Sequence, residues 1–208
     1  MDLQPRHISI AADWAISVAD EVDESTWDDA PAGRWSPRRT IDHLVDVMCL
    51  YSAHVARLAD GRVSPPRNGD ASAARPALLD ALRSTAAVLI VALDAMAEHD
   101  RAFHPSGVAD RSGWIGMACT ELLVHGGDIA GPATGAATDL EPLADAVVDR
   151  VLPWTPHEGS GWQRLMWATG RSSLGARPPA DDQWWWHSAP LAEWDGTPHR
   201  RSTPPQWA

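Results

Sequence analysis

Five segments of this chain have the composition and apolar spacing of α-helices, and this feature constrains the fold more than any other. Short loops alternate with the early segments, which favours antiparallel helix neighbours. The sequence therefore predicts an all-α core built as an up-down helical bundle. The predicted helices cover residues 7–24, 36–61, 75–100, 114–130 and 139–154.

Capping residues locate the ends of these predicted helices. Ser36 is suited to cap the second helix, with Pro37 at its first position, and Gly61 is expected to end it. The third helix is rich in alanine and strongly apolar, so we expect it to be central. Residues 101–113 are interpreted as a connection.

The composition changes after residue 153, where Trp, Pro, Gly and Arg become frequent. We interpret residues 1–153 as the helical bundle and 154–208 as a short Trp/Pro-rich cover that packs on it, because this segment is too broken for a core of its own. Within it, residues 161–170 are predicted to form a short helix and 183–190 an extended edge. The tryptophans of this segment are most simply core and cover.

Charge and composition exclude several classes of protein. The net charge of −11 argues against a nucleic-acid partner, which needs a basic surface. The chain has no lysine, which excludes Schiff-base chemistry and a P-loop lysine. It also lacks a glycine-rich dinucleotide fingerprint and a G-x-S-x-G motif. An enzyme built from this sequence would rely on His, Asp, Glu, Arg, Cys and Tyr, or on a metal.

Targeting signals and cysteines bear on the compartment. The N-terminus has no secretory pattern, and no uninterrupted apolar run approaches twenty residues, so we expect no membrane span. Cys49 and Cys119 are too few and too far apart for a disulfide framework. We therefore expect a cytoplasmic protein, a monomer or homodimer that acts on small molecules.

The stretch "CTELLVHGGD" raises the question of a metal site. On a helix, Glu121, His125 and Asp128 fall within roughly 60° of one another, so the first two side chains can reach one point in space. His43, on the second helix, is the natural third ligand. A His/Glu/His set leaves coordination positions open, as in catalytic zinc sites, and it also suits nickel or iron(II).

Other readings of these residues stay open. A Glu-x-x-x-His pair is common on polar helix faces, His43 alone suits a satisfied core histidine, and Asp128 suits a solvated group or one that supports a ligand. His54 lies about 16 Å further along its helix than His43 and is not expected to share an ion. The two cysteines point away from the candidate ligands on their helices, which argues against a structural zinc site.

The order of these segments resembles the DinB-like helical bundle superfamily, in its branch of mycothiol-dependent maleylpyruvate isomerases and S-transferases. The resemblance depends on "WSPRRTIDHLVDV" (35–47) and "ELLVHGGDIA" (121–130), which look like the two metal-bearing helices. "LMWATGRSSL" (165–174) and "WWWHSAPLAEWDG" (184–196) are similar to the C-terminal segment of many members. The resemblance covers essentially the whole chain.

The resemblance implies a four-helix core that holds a divalent metal, zinc first, through His43, Glu121 and His125. It also implies that a low-molecular-weight thiol, mycothiol or bacillithiol, is transferred to an electrophile or drives a cis-trans isomerisation. The chain departs from the family pattern at 125–128, which reads His-Gly-Gly-Asp where an aromatic residue usually precedes the Asp. This departure is expected to widen the pocket and to loosen the helix end.

A thiol mechanism fits these residues, because binding to a dication deprotonates a thiol. We hypothesise that Asp128 supports a metal ligand or the thiol cofactor. Arg164 and Arg171 are candidates to bind an anionic substrate or the sugar of the thiol, or else form salt bridges. Two alternatives remain: a metal-dependent hydrolase, isomerase or cyclase without thiol, and a non-catalytic bundle that binds a small ligand.

Overall fold

The computed structural model describes residues 1–31, 34–131 and 138–201. These ranges contain six α-helices: α1 (Arg6–Asp20), α2 (Pro37–Ala56), α3 (Arg75–Asp94), α4 (Arg111–Ala130), α5 (Glu141–Val151) and α6 (Gly161–Ala168). The predicted all-α core is confirmed. Helices α1 and α2 each pack against both α3 and α4, while α1 and α2 have few contacts with each other. These two helices therefore lie at diagonal corners of the bundle rather than side by side.

The predicted helix starts are closer to the structure than the predicted ends. Ser36 caps α2 by accepting a hydrogen bond from the Arg39 N–H at 3.2 Å, and Pro37 is its first residue, as expected. The helix ends at Ala56 rather than near Gly61, because Leu58 adopts a positive φ of 44° that breaks the helical path. Helix α1 and helix α3 also end earlier than predicted, at Asp20 and Asp94.

Helix α4, and not α3, is the central helix. Almost all of its residues from Gly113 to Val124 are buried, because it packs against α1, α2 and α5. Helix α3 buries only one face, and Val88 and Val91 on its outer face are 57% and 70% exposed. The expectation that the third helix is central is therefore wrong.

Helix α3 is also the one helix of the described ranges that is long and apolar enough to cross a membrane by length and composition. Core helices of soluble proteins pass the same test, and the buried face of α3 packs on α1 and α2. Asp80 and Arg83 interrupt its sequence, so the helix contains no uninterrupted apolar run of the length that predicts a membrane span.

A two-stranded hairpin, not expected from the sequence, connects α3 to α4. Strands β1 (Ala102–His104) and β2 (Gly107–Ala109) pair antiparallel, with Phe103 opposite Val108. The hairpin is tied to the end of α2 by a 2.7 Å hydrogen bond from the Phe103 N–H to the Ala59 carbonyl. Strands of three residues give too little alternation for a sequence pattern to reveal.

Helix α6 and the extended stretch that follows it contact α5, while the division into 1–153 and 154–208 stays a prediction. Helix α6 begins with a capping box formed by Ser160 and Gln163 and packs on α5. The extended stretch that follows is fixed by Arg150, a buried residue of α5 whose guanidinium donates to the carbonyls of residues 187–189. The His187 N–H donates to the Val151 carbonyl at 2.9 Å.

Candidate metal centre

Helices α2 and α4 bring the three predicted ligands together. The Nε2 atom of His43 lies 3.6 Å from Oε2 of Glu121, and Nε2 of His125 lies 3.3 Å from the same oxygen. One ligand atom from each residue lies within 4.8 Å of the others. The i, i+4 spacing places Glu121 and His125 on one face of α4, and the contact between α2 and α4 supplies His43.

The three side chains fit a divalent cation by donor type and by spacing. Nitrogen and oxygen ligands at about 2.0–2.2 Å from a tetrahedral metal lie about 3.3–3.6 Å from one another. The distances of 3.3 and 3.6 Å to Oε2 of Glu121 match this separation. All three side chains are half-buried, so solvent or a ligand can reach the remaining coordination positions.

The electrostatics of the cluster reflect its paired charges. Burial raises the pKa of Glu121, but hydrogen bonds from His125 and His43 outweigh burial and hold this pKa well below its usual value. Burial lowers the pKa of His125, whereas hydrogen bonds to Asp128 and Glu121 raise it more strongly, to about 9. In the absence of metal His125 is therefore protonated at neutral pH, and a cation would replace that proton.

Asp128 is bonded to the ring nitrogen of His125 that does not face the cluster. Its Oδ2 lies 3.1 Å from Nδ1 of His125, which leaves Nε2 of the same ring facing the cluster. The side chain of Arg171, beyond α6, donates two hydrogen bonds to Asp128, at 2.8 and 3.1 Å. Burial raises the pKa of Asp128, but the bonds from His125 and Arg171 bring it down to about 2. This arrangement is the carboxylate–histidine pair that orients metal ligands in proteins.

A cavity of about 560 Å³ opens onto the cluster. It is lined from three parts of the chain: the loop before α2, the facing sides of α2 and α4, and the C-terminal segment. The C-terminal segment contributes Thr169, Gly170, Arg171, Trp184, Trp186 and Arg201. The cover predicted from composition therefore forms one wall of the site.

Trp35 is a cavity residue that the sequence reasoning missed. Its ring is stacked on the ring of His125, with centroids 5.7 Å apart and an interplanar angle of 18°, and it meets the ring of His43 edge-on at 4.8 Å. The side chain is 46% exposed, and the guanidinium of Arg39 lies 5.3 Å from the centre of the same ring. The only signal in the sequence was its position directly before the Ser36 cap, ahead of a helix that carries a candidate ligand.

The two glycines that follow His125 do not have the effect expected from the family pattern. Helix α4 continues through Gly126 and Gly127 to Ala130, so the helix end is not loosened. A Cβ on Gly126 would lie 2.3 Å from the ring of Trp14, and one on Gly127 would lie 3.1 Å from the ring of Trp162. Neither glycine lines the cavity, so their small size admits two tryptophan rings from α1 and α6 instead of widening the pocket.

The structure does not place Arg164 with the cluster. This side chain is buried between α5 and α6, where it pairs with Asp145 and Asp149 and donates to the Pro156 carbonyl at 2.8 Å. It is not among the residues that line the cavity, and this position favours the salt-bridge alternative. Arg171 does line the cavity, although its guanidinium is committed to Asp128.

The other candidates considered from the sequence lie outside the cluster. Cys119 is fully buried, and burial raises its pKa, as it does for half-buried Cys49. His54 uses both ring nitrogens, one with the Leu50 carbonyl at 2.9 Å and one with the Val63 N–H at 3.3 Å. In the part of the chain that the structure describes, the His/Glu/His group alone has the spacing of a metal site.

Comparison with known families is consistent with this architecture. A family model of the DinB superfamily matches residues 10–129. This range holds most of α1, all of α2 and α3, and all of α4 except its last residue. This match spans more than half of the chain and contains all three candidate ligands. No curated protein and no solved structure matches the chain.

Proposed function

The chain belongs to the DinB superfamily, and we propose that it is a divalent-metal enzyme that uses a low-molecular-weight thiol of the mycothiol type. The thiol would add to an electrophilic small molecule in an S-transferase or a cis-trans isomerase reaction. The observation that supports this proposal is the spacing of the His43, Glu121 and His125 donor atoms at the edge of a cavity large enough for a small substrate.

Each residue of the site has a defined task in this proposal. His43, Glu121 and His125 hold the cation, zinc first and nickel or iron(II) as alternatives, and Asp128 keeps the His125 ring in the tautomer that presents Nε2. When bound, the metal lowers the pKa of a thiol at an open coordination position, so that sulfur is a nucleophile at neutral pH. Trp35 and the C-terminal tryptophans line the cavity and offer apolar surface to a bound substrate.

The two reactions share their first step. The thiol proton is released, and the sulfur forms a bond to the electrophilic carbon while the π bond of an alkene or a C–O bond of an epoxide breaks and its electron pair moves to oxygen. In transfer, the carbon–sulfur bond persists in the product, and the resulting anion takes up a proton. In isomerisation, addition converts a double bond into a single bond that can rotate, and elimination of the thiol then restores the double bond and returns the proton.

The first test is metal analysis of the purified protein. We expect close to one divalent metal per chain in the wild type and almost none in His43→Ala or Glu121→Ala. His99→Ala and Glu21→Ala are matched controls, because both positions are exposed and lie outside the cluster. A wild-type protein that holds no metal after incubation with zinc or nickel would sink the catalytic proposal and favour the ligand-binding alternative.

The second test separates thiol chemistry from metal-bound water. The metal-loaded protein is assayed for consumption of mycothiol, bacillithiol or N-acetylcysteine in the presence of a model epoxide or enone. Turnover that depends on the thiol and is lost in Glu121→Ala supports the proposal. A protein that retains metal but consumes no thiol instead supports a hydrolase, isomerase or cyclase without thiol.

A further inference from the structure

The cavity that opens onto the cluster is lined by more positive charge than its own carboxylates neutralise. Three arginines line it, Arg34, Arg171 and Arg201, beside the two carboxylates of Glu121 and Asp128. Arg171 is neutralised by Asp128, and Glu121 faces the two histidines. The remaining two arginines have no carboxylate within 4.0 Å among the residues at 1–31, 34–131 and 138–201.

Unpaired arginines are uncommon in this chain. It has 28 acidic residues and 17 arginines, so carboxylates are in excess, and most arginines are paired. In the described structure, those without such a pair are Arg6, Arg34, Arg57, Arg62 and Arg201. Two of these five line the cavity that opens onto the candidate ligands, in a protein with a net charge of −11.

Arg201 is held in place by the backbone around it. The Arg201 N–H donates to the Gln183 carbonyl at 2.8 Å, and the Trp185 N–H donates to the His199 carbonyl at 2.9 Å. This antiparallel pairing aligns residues 199–201 with the extended stretch that carries Trp184. The Arg201 guanidinium lies 5.8 Å from the centre of the Trp184 ring, which is within range of a cation–π contact. The charge therefore belongs to the cavity wall.

Arg34 approaches from the other end of the chain. It directly precedes Trp35, the residue whose ring is stacked on His125, and its N–H donates to the Pro31 carbonyl at 2.9 Å. The two unpaired guanidinium groups thus come from the loop before α2 and from the C-terminal segment. Both residues line the cavity, so an anion bound by both would connect these two segments.

The rest of the lining suits a flat apolar body. Trp35, Trp184 and Trp186 contribute three indole rings. Trp184 and Trp186 meet edge-on with ring centroids 5.3 Å apart, and Trp186 is 7% exposed, so these two rings form a packed apolar wall.

We infer that the cavity binds a small organic anion, a carboxylate on a flat apolar body, through the guanidinium groups of Arg34 and Arg201. Arginine binds carboxylates in a bidentate fork, and the three indole rings cover the body. We commit to a carboxylate, because its planar group continues the plane of a flat body between the indole rings, and tighter binding of a phosphate is an outcome of the test. The inference rests on the proposed function in one respect, which is that the bound anion is taken to be the electrophilic substrate.

The test is equilibrium binding of matched probes to the full chain stripped of metal, so that a carboxylate cannot bind through a cation. Benzoate and cinnamate are compared with benzamide and cinnamamide, which have the same shape and no charge. We expect the two acids to bind about tenfold more tightly than the amides, a difference worth about 1.4 kcal/mol. The double variant Arg34→Gln/Arg201→Gln should lose this preference.

A matched control keeps the net charge of the double variant. Arg57→Gln/Arg62→Gln removes two unpaired, exposed arginines that do not line the cavity, and it should retain the full preference for the acids. Trp35→Ala should weaken the binding of the acids and of the amides equally, because it removes only an indole ring that contacts the apolar body of the probe. Circular dichroism of each variant verifies that the chain is folded.

Four results would overturn the inference. These are equal binding of benzoate and benzamide, no binding of any probe at about 10 mM, the same loss in both double variants, and tighter binding of phenyl phosphate than of benzoate. Failure of the metal analysis with the preference intact would sink the proposed function alone. Loss of the preference in a protein that binds metal and turns over thiol would sink this inference alone.

Discussion

Helices α2 and α4 build two histidine clusters, and only one of them has the form of a metal site. The open cluster consists of His43, Glu121 and His125, and the closed cluster consists of Tyr51, His54, His104 and Trp114. The closed cluster also draws on the hairpin, through His104. Two sites with shared helices and a shared residue type therefore differ in their chemistry.

The difference lies in what the ring nitrogens meet. In the open cluster, the Nε2 atoms of His43 and His125 face a carboxylate at the edge of a cavity. In the closed cluster, His54 uses both nitrogens with backbone groups, and Nδ1 of His104 is bonded to Ser106 at 2.7 Å. The pKa of His125 is raised to about 9, whereas burial without a carboxylate partner lowers the pKa of His104 to about 3. A histidine on a helix is therefore not enough to indicate a metal ligand. A metal site also needs a nearby carboxylate and a ring nitrogen that is not bonded to another group.

The largest expected difference between the clusters is in metal content. His43→Gln should reduce bound zinc from near one per chain to almost none, because it removes one of three donors. His54→Gln, eleven residues along the same helix, should leave the metal content unchanged. Elemental analysis after dialysis measures both. Equal metal loss in the two variants would contradict the assignment of the open cluster.

The closed cluster should matter for stability instead. Trp114 is fully buried against Tyr51, His54 and His104, so Trp114→Ala should lower the free energy of unfolding by about 3–5 kcal/mol. Urea denaturation followed by circular dichroism measures this loss. The folded variant should still bind about one metal per chain, and a variant that folds but loses its metal would show that the two clusters are not independent.

A smaller effect is expected from the carboxylate behind His125. Asp128→Asn keeps the shape but loses the charge that pairs with both His125 and Arg171. Zinc affinity, measured by competition with a chelating dye, should fall about 10–100-fold. Asp80→Asn, at a position 78% exposed on α3, is the control and should have no effect. An unchanged affinity in Asp128→Asn would remove this residue from the site.

The last expected difference is in the response of metal-free protein to pH. Below pH 6.5 the unfolded chain binds a proton at His104, while the folded protein does not until about pH 3. Stability therefore falls with decreasing pH in this window, by about 1.4 kcal/mol per pH unit from this group. Urea denaturation between these limits should give a shallower slope for His104→Gln than for wild type.

The open cluster should respond in the opposite direction. The folded pKa of His125 lies above its unfolded value, so its contribution is complete below pH 6.5 and is lost as the pH rises through about 9. His125→Gln should flatten the stability profile of metal-free protein in that upper window. A slope equal to that of the wild type between about pH 6.5 and 9 would contradict this comparison.

Much of the bundle and the three candidate ligands could be predicted from the sequence, because helical periodicity fixes which residues share a face. Glu121 and His125 are on one face of α4 wherever that helix packs, and His43 is on a helix that must bury a side. The same reasoning separated His54 from the cluster by its distance along the helix axis.

The cavity walls could not be predicted in this way. Trp35 lies in a loop, and Trp186 and Arg201 lie in an extended segment, where no period relates sequence spacing to direction. Arg164 and Arg171 are seven residues apart, and the sequence could not show that one is buried with Asp145 and Asp149 while the other reaches Asp128. The partner that each arginine finds depends on packing between distant segments.

The two glycines after His125 have a consequence for anyone who maps this protein by saturation mutagenesis. Any larger side chain at Gly126 must displace Trp14, and one at Gly127 must press on Trp162, although neither glycine faces the cavity. Gly126 should therefore tolerate few replacements, and Gly127 only those for which the Trp162 ring can shift by a few tenths of an ångström. A fitness map interpreted without the structure would count them as active-site residues, when their task is to leave room for two rings.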